Sequence, residues 1–159
     1  MKEMISMAPT IQEQPLYMQY LISTQHTASP DEWATGLNEL QEVIVDKEFY
    51  QVAPVVVKMA RLSDDRFQFI YYVPISLPLT GNSQFSEQFH YVDKLAVDHA
   101  LVLRQANNTA SYRDAIKILE EYANQNGYTL SGDYYMVVTE IYDTYVLDIF
   151  AKLESGWHA

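Results

Sequence analysis

Cysteine is absent from this sequence of 159 residues. Its absence excludes a disulfide framework, a thiolate metal site and a cysteine nucleophile. Long apolar runs are also missing, so no segment has the length of a membrane span. The first residues, MKEMISMAPTIQEQP, have no apolar core followed by a small-residue cleavage site, so we expect no secretory signal. Because a membrane span and a secretory signal are missing, a cytoplasmic protein without membrane contact is the default expectation, whereas the absence of cysteine says little about compartment. The length suits one domain.

Positive charge is scarce, because 10 Lys and Arg residues face 21 Asp and Glu residues. The net charge is −11 and the pI is about 4.6. An acidic surface repels phosphate backbones, which disfavours nucleic-acid binding. It suits a cationic ligand or a basic protein partner, although simple solubility is the commoner reason for such charge. The sequence leaves open whether the chain forms a homodimer.

Catalytic motifs are missing as well. The sequence has no G-x-S-x-G, no glycine-rich phosphate loop and no paired-carboxylate motif. The adjacent pairs Asp64-Asp65 and Glu120-Glu121 fit a turn and an outer helix face, where solvated charge explains them. We therefore expect no enzymatic activity and no cofactor.

Histidine spacing does not indicate a metal site. His90 and His99 point to opposite faces of a predicted strand, and no third ligand accompanies them. His26 and His158 are predicted to be surface residues. We expect no bound metal.

Tyrosine is abundant, with 13 residues. Its ring has an apolar face and a polar tip, which suits ligand clefts and protein interfaces. Half-exposed sheet positions are the more common explanation for such residues.

Four elements are predicted in the first half. Ser29, followed by proline and by a glutamate three positions later, predicts a helix start. Apolar residues recur from Trp33 to Ile44 at spacings of four, three and four, which predicts one buried helix face. The predicted elements are a strand at 15–23, a helix at 30–47, and two hairpin strands at 50–62 and 66–79.

The same order of elements is predicted in the second half. A strand at 90–105 precedes a helix that begins near Ser111 and ends at Asn126-Gly127. A second hairpin follows, formed by YTLSGDYYMVVTEIY and TYVLDIFAKL.

A repeat follows from this order and from one equal spacing. Pro54 and Val73 are as far apart as Gly132 and Ala151, which aligns FYQVAP with GYTLSG. We therefore predict an α+β fold of tandem βαββ units that form an antiparallel sheet. Both helices lie on one face of this sheet and a concave cleft lies on the other. The halves span about 15–79 and 89–153, with a linker at 80–88.

The chain resembles the GyrI-like, or bacterial effector-binding, domain family over residues 15–153. The run that carries the resemblance is NQNGYTLSGDYYMVV, followed by TYVLDIFAKL. The resemblance implies tandem βαββ units and a cleft that binds small, often cationic or amphipathic, molecules. Some members of the family are hydrolases, and many are fused behind a DNA-binding helix-turn-helix. This chain looks like a stand-alone member.

The sequence departs from the family pattern at one position that matters for a ligand. The family glutamate aligns with Met136, and the preceding family proline aligns with Asp133. Glu140 lies four residues further along the predicted strand, hence on the same face, and is a candidate substitute.

The candidate ligand-binding residues come from this strand and from its counterpart in the first half. Tyr134, Met136 and Glu140 share one strand face. If the alternate residues Tyr135 and Val137 pack under the helices, the first set lines the concave cleft. That set offers an adaptable apolar wall with a carboxylate at one end, and a cation can lie over the tyrosine ring.

Three further aromatic residues are candidates for the opposite wall. Phe69 fits core packing better, whereas Tyr71 fits a wall or the core equally. Trp33 is expected to pack the first helix onto the sheet, with a position at the cleft rim as the alternative.

The leading hypothesis is a small-molecule-binding domain that acts by sequestration or by a shape change signalled to a partner. The alternative is an acidic protein-interaction module, such as an adaptor, a chaperone or a toxin-neutralising protein. An open cavity lined by aromatic residues favours the first. A hydrolase would need two titratable groups in contact within the cleft.

Overall fold

A computed structural model describes most of the chain. The described residues are 11–29, 32–33, 37, 40–42, 44, 49–62, 66–76, 89–104, 112–141 and 144–154, and for 61, 140, 141, 144 and 145 only the backbone is described. The predicted linker at 80–88 and His158 lie outside the described part.

The described residues form six strands and one complete helix. The strands are β1 (Ile11–Ala28), β2 (Val55–Arg61), β3 (Phe67–Pro74), β4 (His90–Leu103), β5 (Leu130–Ile141) and β6 (Thr144–Leu153). Tyr112–Asn126 forms the second-half helix. The backbone is also helical at Leu37, 40–42 and Ile44, which we call the first-half helix. No helix in the described ranges is long and apolar enough to cross a membrane.

All strand pairs are antiparallel, and the sheet closes on itself in the order β1-β3-β2-β5-β6-β4. The prediction of an α+β fold with an antiparallel sheet and two helices is confirmed. The closure of the sheet is an additional finding, because β1 pairs with both β3 and β4.

The larger core lies between the helices and one face of the sheet, and we call it the helix-side core. Of the first-helix residues that periodicity predicted to be buried, Leu37, Leu40 and Ile44 are buried there, whereas Trp33 is only partly buried. The second-half helix contributes Tyr112, Ala115, Ile116, Leu119 and Ala123. Burial of these apolar faces stabilises both helices, since isolated helices of this length are marginal in water.

A smaller cluster is buried on the opposite face of the sheet. Its members are Leu16, Val56, Val97, Ala100, Val102, Tyr135 and Phe150. The two clusters follow the alternation of side chains along each strand. In β5, for example, Tyr134 and Met136 belong to the helix-side core, and Tyr135 belongs to the opposite cluster.

The ends of the two helices have the same hydrogen bond. The amide of Phe49 donates to the carbonyl of Ile44 at 2.9 Å, and the amide of Tyr128 donates to Ala123 at 2.9 Å. Such bonds are typical of a Schellman helix end. In the second half the bond is accompanied by Gly127 at a φ of 79°, as predicted for the residue after the helix. Phe49 therefore corresponds to Tyr128.

Both hairpins also contain an irregularity at the same place. Gln51 pairs with Ile75 in the first half, and Leu130 pairs with Leu153 in the second. In each hairpin, regular pairing begins some residues after this pair. The segment between the two is two residues longer in the first strand than in its partner. Gly132, at a φ of 97°, lies within the second irregularity.

This correspondence corrects the alignment predicted from the sequence by one residue. If Gln51 corresponds to Leu130, Gly132 corresponds to Ala53 and not to Pro54. The equal spacing in the sequence was misleading. The chain from Gln51 to Ile75 is one residue longer than the corresponding chain from Leu130 to Leu153.

Candidate functional site

A cavity of about 430 Å³ lies between the first-half helix and the adjoining ends of β2 and β5. We call it the helix-side pocket. It is lined by Leu37, Gln41, Gln51, Ala53, Pro54, Val55, Val138 and Thr139. Its volume lies within the range typical of small-molecule sites.

The floor of the helix-side pocket is apolar and well packed. Leu37, Val55 and Val138 are 2%, 3% and 4% exposed, and all three belong to the helix-side core. Val55 and Val138 are direct cross-strand partners, which fixes their side chains on the same face of the sheet. The pocket therefore has a rigid floor formed by two strands and a helix.

The rim of the pocket is polar but uncharged among the described lining residues. Gln41, Gln51 and Thr139 supply amide and hydroxyl groups. The Gln51 side chain donates to the carbonyl of Ala53 at 3.0 Å, which supports the irregular backbone that borders the pocket. An apolar floor with a few polar groups at its edge is the usual chemistry of a ligand site.

The corresponding place in the second half is filled. By the alignment above, Tyr134 corresponds to Val55, and Glu120 of the second-half helix corresponds to Gln41. The strand pairing agrees, because Val55 pairs with Val138 and Tyr134 pairs with Met59. The Tyr134 hydroxyl donates to Oε2 of Glu120 at 2.8 Å. Thus a tyrosine ring and a carboxylate lie where the first half has a valine, a glutamine and a cavity.

The Tyr134–Glu120 contact was missed by sequence reasoning. Glu120 was predicted to be solvated on an outer helix face, but it is half-buried and accepts this hydrogen bond. The prediction was wrong because it considered only the neighbouring acidic residue Glu121. The sequence offered no signal for this contact, because the alignment that matches Glu120 to Gln41 follows from the strand pairing in the structure.

The orientation predicted for β5 is reversed in the structure. Tyr134 and Met136 lie in the helix-side core, whereas Tyr135 lies on the opposite face. The pairing of Tyr134 with Met59 and with Ala151, both of the helix-side core, fixes this orientation. Because side chains alternate along a strand, a shift of one residue moves every side chain to the other face.

The other predicted site residues also lie on the helix side. Phe69 and Tyr71 are fully buried in the helix-side core, and Trp33 packs against it, as expected for a residue that holds the first helix on the sheet. The Tyr71 hydroxyl donates to the carbonyl of Trp33 at 2.5 Å. His26, predicted to be a surface residue, instead packs edge-on against Tyr71 with ring centroids 5.9 Å apart.

Glu140 lies in β5 opposite Tyr145, directly after Thr139 of the pocket rim. Its side chain lies outside the described part. The other five predicted ligand-binding residues, namely Trp33, Phe69, Tyr71, Tyr134 and Met136, are together on the helix side.

A polar group without a partner lies in the same layer. Thr24 is 2% exposed, and its hydroxyl has no hydrogen-bond partner among the described residues. It is the cross-strand neighbour of Tyr71. A buried hydroxyl without a hydrogen bond costs about 1–3 kcal/mol.

The opposite face holds the most perturbed titratable group of the described residues. Burial, and secondarily the negative charge of Asp133, raise the pKa of Tyr135 to about 12. Lys58 lies over the Tyr135 ring, 5.7 Å from its centroid, and 4.0 Å from a carboxylate oxygen of Asp133. The phenol therefore stays neutral at physiological pH and is unsuited to act as a base.

A second, wider cavity of about 710 Å³ lies on the other side of Ala53. It is lined by Tyr17, Met18, Gln19, Tyr20, Val52, Ala53, Pro74, Ile75, Ser76 and Lys94. Tyr20 has a φ of 59°, an uncommon conformation for a residue other than glycine. Tyr17 and Val52 are more than half exposed, so this cavity is open to solvent at its edge.

Comparison with known structures identifies the fold. The C-terminal domain of EcmrR superposes with a TM-score of 0.72 at 10% identity, covering 93% of this chain and 99% of that domain. The chain has the fold of that domain. A hydrolase from Listeria innocua gives a TM-score of 0.60 at 8% identity, with 93% and 94% covered. SAV2435 bound to tetraphenylphosphonium gives 0.51 at 11% identity, with 94% and 95% covered.

Comparisons by sequence gave no match. No family model matches the chain, and no curated protein does. At these low identities the structural likeness shows the fold alone.

Proposed function

We propose that this chain is a GyrI-like domain that binds a small amphipathic or cationic molecule in the helix-side pocket. It would act by sequestration or by a signal passed to a partner. The observation that carries this proposal is the cavity of about 430 Å³ with a buried apolar floor and an uncharged polar rim.

Two further observations support a cationic or amphipathic ligand. The net charge of −11 attracts cations and raises their concentration near the surface. A protein with the same fold, SAV2435, has been solved bound to tetraphenylphosphonium, an apolar cation. The apolar floor would receive the ligand's rings, while the acidic surface favours its charge.

The rival hypothesis, an acidic protein-interaction module, is less well supported. It needs a tyrosine-rich surface but no cavity. Tyr71, Tyr134 and Tyr135 are buried and are not available for a protein interface, whereas Tyr17 and Tyr50 are exposed and could take part in one. A binding pocket beneath a helix has no role in that hypothesis.

Isothermal titration with tetraphenylphosphonium tests the proposal. We expect saturable binding by the unmodified chain and at least tenfold weaker binding by Thr139→Trp, whose indole would occupy the pocket rim. Leu62→Ser is the matched control, because Leu62 is exposed and does not line the pocket. Equal affinity in Thr139→Trp, or no binding by the unmodified chain, would contradict a cation site in this pocket.

We also propose that Glu140, next to Thr139 in β5, supplies the negative charge of the site. Glu140→Gln should then weaken tetraphenylphosphonium binding about tenfold, or about 1.4 kcal/mol, because it removes the Coulombic attraction between the carboxylate and the cation. Triphenylphosphine oxide, a neutral molecule with similar rings, should bind both forms equally. Unchanged affinity for the cation would remove Glu140 from the site.

A further inference from the structure

The two halves of the molecule place different side chains at the same position beneath a helix. In the second half, the ring of Tyr134 lies over the sheet and its hydroxyl binds Glu120 at 2.8 Å. In the first half, Val55 and Gln41 take these positions and leave the helix-side pocket. Tyr134 therefore provides an example of how a phenol ring is held between the sheet and a helix in this protein.

We propose that the helix-side pocket binds a phenolic amine. The phenol ring would enter as the Tyr134 ring does in the second half, with its hydroxyl hydrogen-bonded to the Gln41 side chain. The amine would remain at the rim, where the acidic protein favours a cation. This inference rests on the proposed function and names the ligand class for the same site.

The match of the surroundings supports the phenol. The helix above the ring position presents Leu37 in the first half and Ile116 in the second, and both are buried in the helix-side core. The strand beside the ring position presents Val138 in the first half and Met59 in the second. The walls are thus apolar in both halves, and the main difference is the small Val55 side chain.

The polar group above the ring favours a neutral hydroxyl. Gln41 lies where Glu120 lies, and its amide both donates and accepts hydrogen bonds. A phenol hydroxyl can donate to its oxygen, as Tyr134 donates to Glu120, without needing a charge in the pocket. A ligand with the same ring but no hydroxyl would leave the amide without this partner.

The pocket has room for more than one ring, so a phenolic ligand can also carry a short chain with an amine. Its volume is about 430 Å³, and the exposed Gln51 is among its lining residues, so the pocket opens to solvent on that side. A short chain that carries an amine would follow this direction into solvent. There the net charge of −11 favours a cation over an anion.

Titration calorimetry with three matched molecules tests the inference. Tyramine has the ring, the hydroxyl and the amine, phenethylamine lacks the hydroxyl, and 4-ethylphenol lacks the amine. We expect tyramine to bind at least tenfold more tightly than either of the others. In Gln41→Leu the advantage of tyramine over phenethylamine should disappear, because the hydrogen-bonding amide is lost. Equal binding of tyramine and phenethylamine by the unmodified chain would overturn the inference.

A second experiment copies the second half into the first. The double variant Val55→Tyr with Gln41→Glu should fill the pocket, abolish tyramine binding and raise the melting temperature. Undiminished tyramine binding by a folded double variant would overturn the inference. If this variant fails to fold, the Gln41→Leu comparison still decides.

The outcomes separate this inference from the proposed function. Binding of tetraphenylphosphonium that is weakened by Thr139→Trp, together with no binding of tyramine, would overturn only the phenolic ligand class. Failure of both molecules to bind would overturn both proposals.

Discussion

The two halves of the molecule have matching backbone features but different side chains beneath their helices. The second half fills the space beneath its helix with Tyr134, which is anchored by Glu120. The first half has Val55 and Gln41 at these positions and keeps a cavity. The backbones agree in the helix-end hydrogen bonds and in the strand irregularities. In this chain, the space beneath one helix is occupied by the large Tyr134 side chain, and the corresponding space beside the small Val55 is a pocket.

The largest expected effect comes from removing the ring that fills the second half. Tyr134→Val should lower the free energy of unfolding by about 2–4 kcal/mol, because it leaves a cavity and deprives Glu120 of its donor. Urea denaturation measures this loss. If the halves are equivalent, 4-ethylphenol should partly restore the melting temperature of this variant.

Tyr50→Val is the control for that experiment. Tyr50 is 76% exposed, and its replacement should change stability by less than about 0.5 kcal/mol. A Tyr134→Val protein as stable as this control would show that the ring does not hold the second half together.

A smaller effect is expected at the irregularity next to the site. Gly132 has a φ of 97°, and a side chain built there meets no atom within 4 Å, so only the backbone resists substitution. Gly132→Val should cost about 1–2 kcal/mol because a β-branched residue is disfavoured at positive φ. Thermal unfolding measures this change. Ala53→Val, at the corresponding position, should be better tolerated, and equal losses at both sites would mean that Gly132 is not special.

Thr24→Val should produce a gain in stability. Valine keeps the shape of threonine and removes a buried hydroxyl that lacks a partner among the described residues. We expect the free energy of unfolding to rise by about 1 kcal/mol, seen as a higher urea midpoint. This position belongs to the first half, beside Tyr71. A loss of stability would show that the hydroxyl is hydrogen-bonded in solution.

The smallest expected effect depends on pH. It concerns Tyr135, which can ionise, whereas the corresponding residue of the first half, Val56, cannot. The pKa of Tyr135 is raised from 10.0 to about 12, mainly by burial, so the folded state holds its proton more tightly than the unfolded state. The contribution of this difference in pKa to the free energy of unfolding is complete below pH 10 and is lost as pH rises from 10 towards 12. Tyr135→Phe should lessen the fall of stability in that range. Unfolding followed by circular dichroism at pH 9 to 11.5 measures it, and identical slopes would contradict the shift.

Local patterns in the sequence predicted much of the fold. Apolar spacing identified the buried residues Leu37, Leu40 and Ile44 of the first-half helix, and the Asn126-Gly127 pair identified the end of the second-half helix. These features depend on residues close together in the chain, so they can be read without the tertiary structure. The strands were also found, although β1 extends to Ile11–Ala28, beyond the predicted 15–23.

The candidate site was harder to predict, for two physical reasons. Periodicity along β5 does not show which of its two faces the helices cover, and the wrong choice of face reverses every side chain. Tyr134 and Tyr71 donate hydrogen bonds to Glu120 and to the Trp33 carbonyl, which lie far from them in sequence and are brought near only by folding. Five of the six predicted ligand-binding residues still lie on the helix side of the sheet. Large aromatic residues in strands tend to be buried, and here the helices cover the face on which they lie.

The circular strand order has a consequence for any protein partner. Each of the six strands already has a neighbour on both sides. The pairing is nevertheless incomplete among the described residues. β4 pairs with β6 only at Ala100–Leu103, and β1 pairs with β3 only from Leu21 onward. An extended peptide that adds a strand to this sheet would therefore have to join the remaining stretches of β1 or β4. The position of these stretches determines where such a partner could dock.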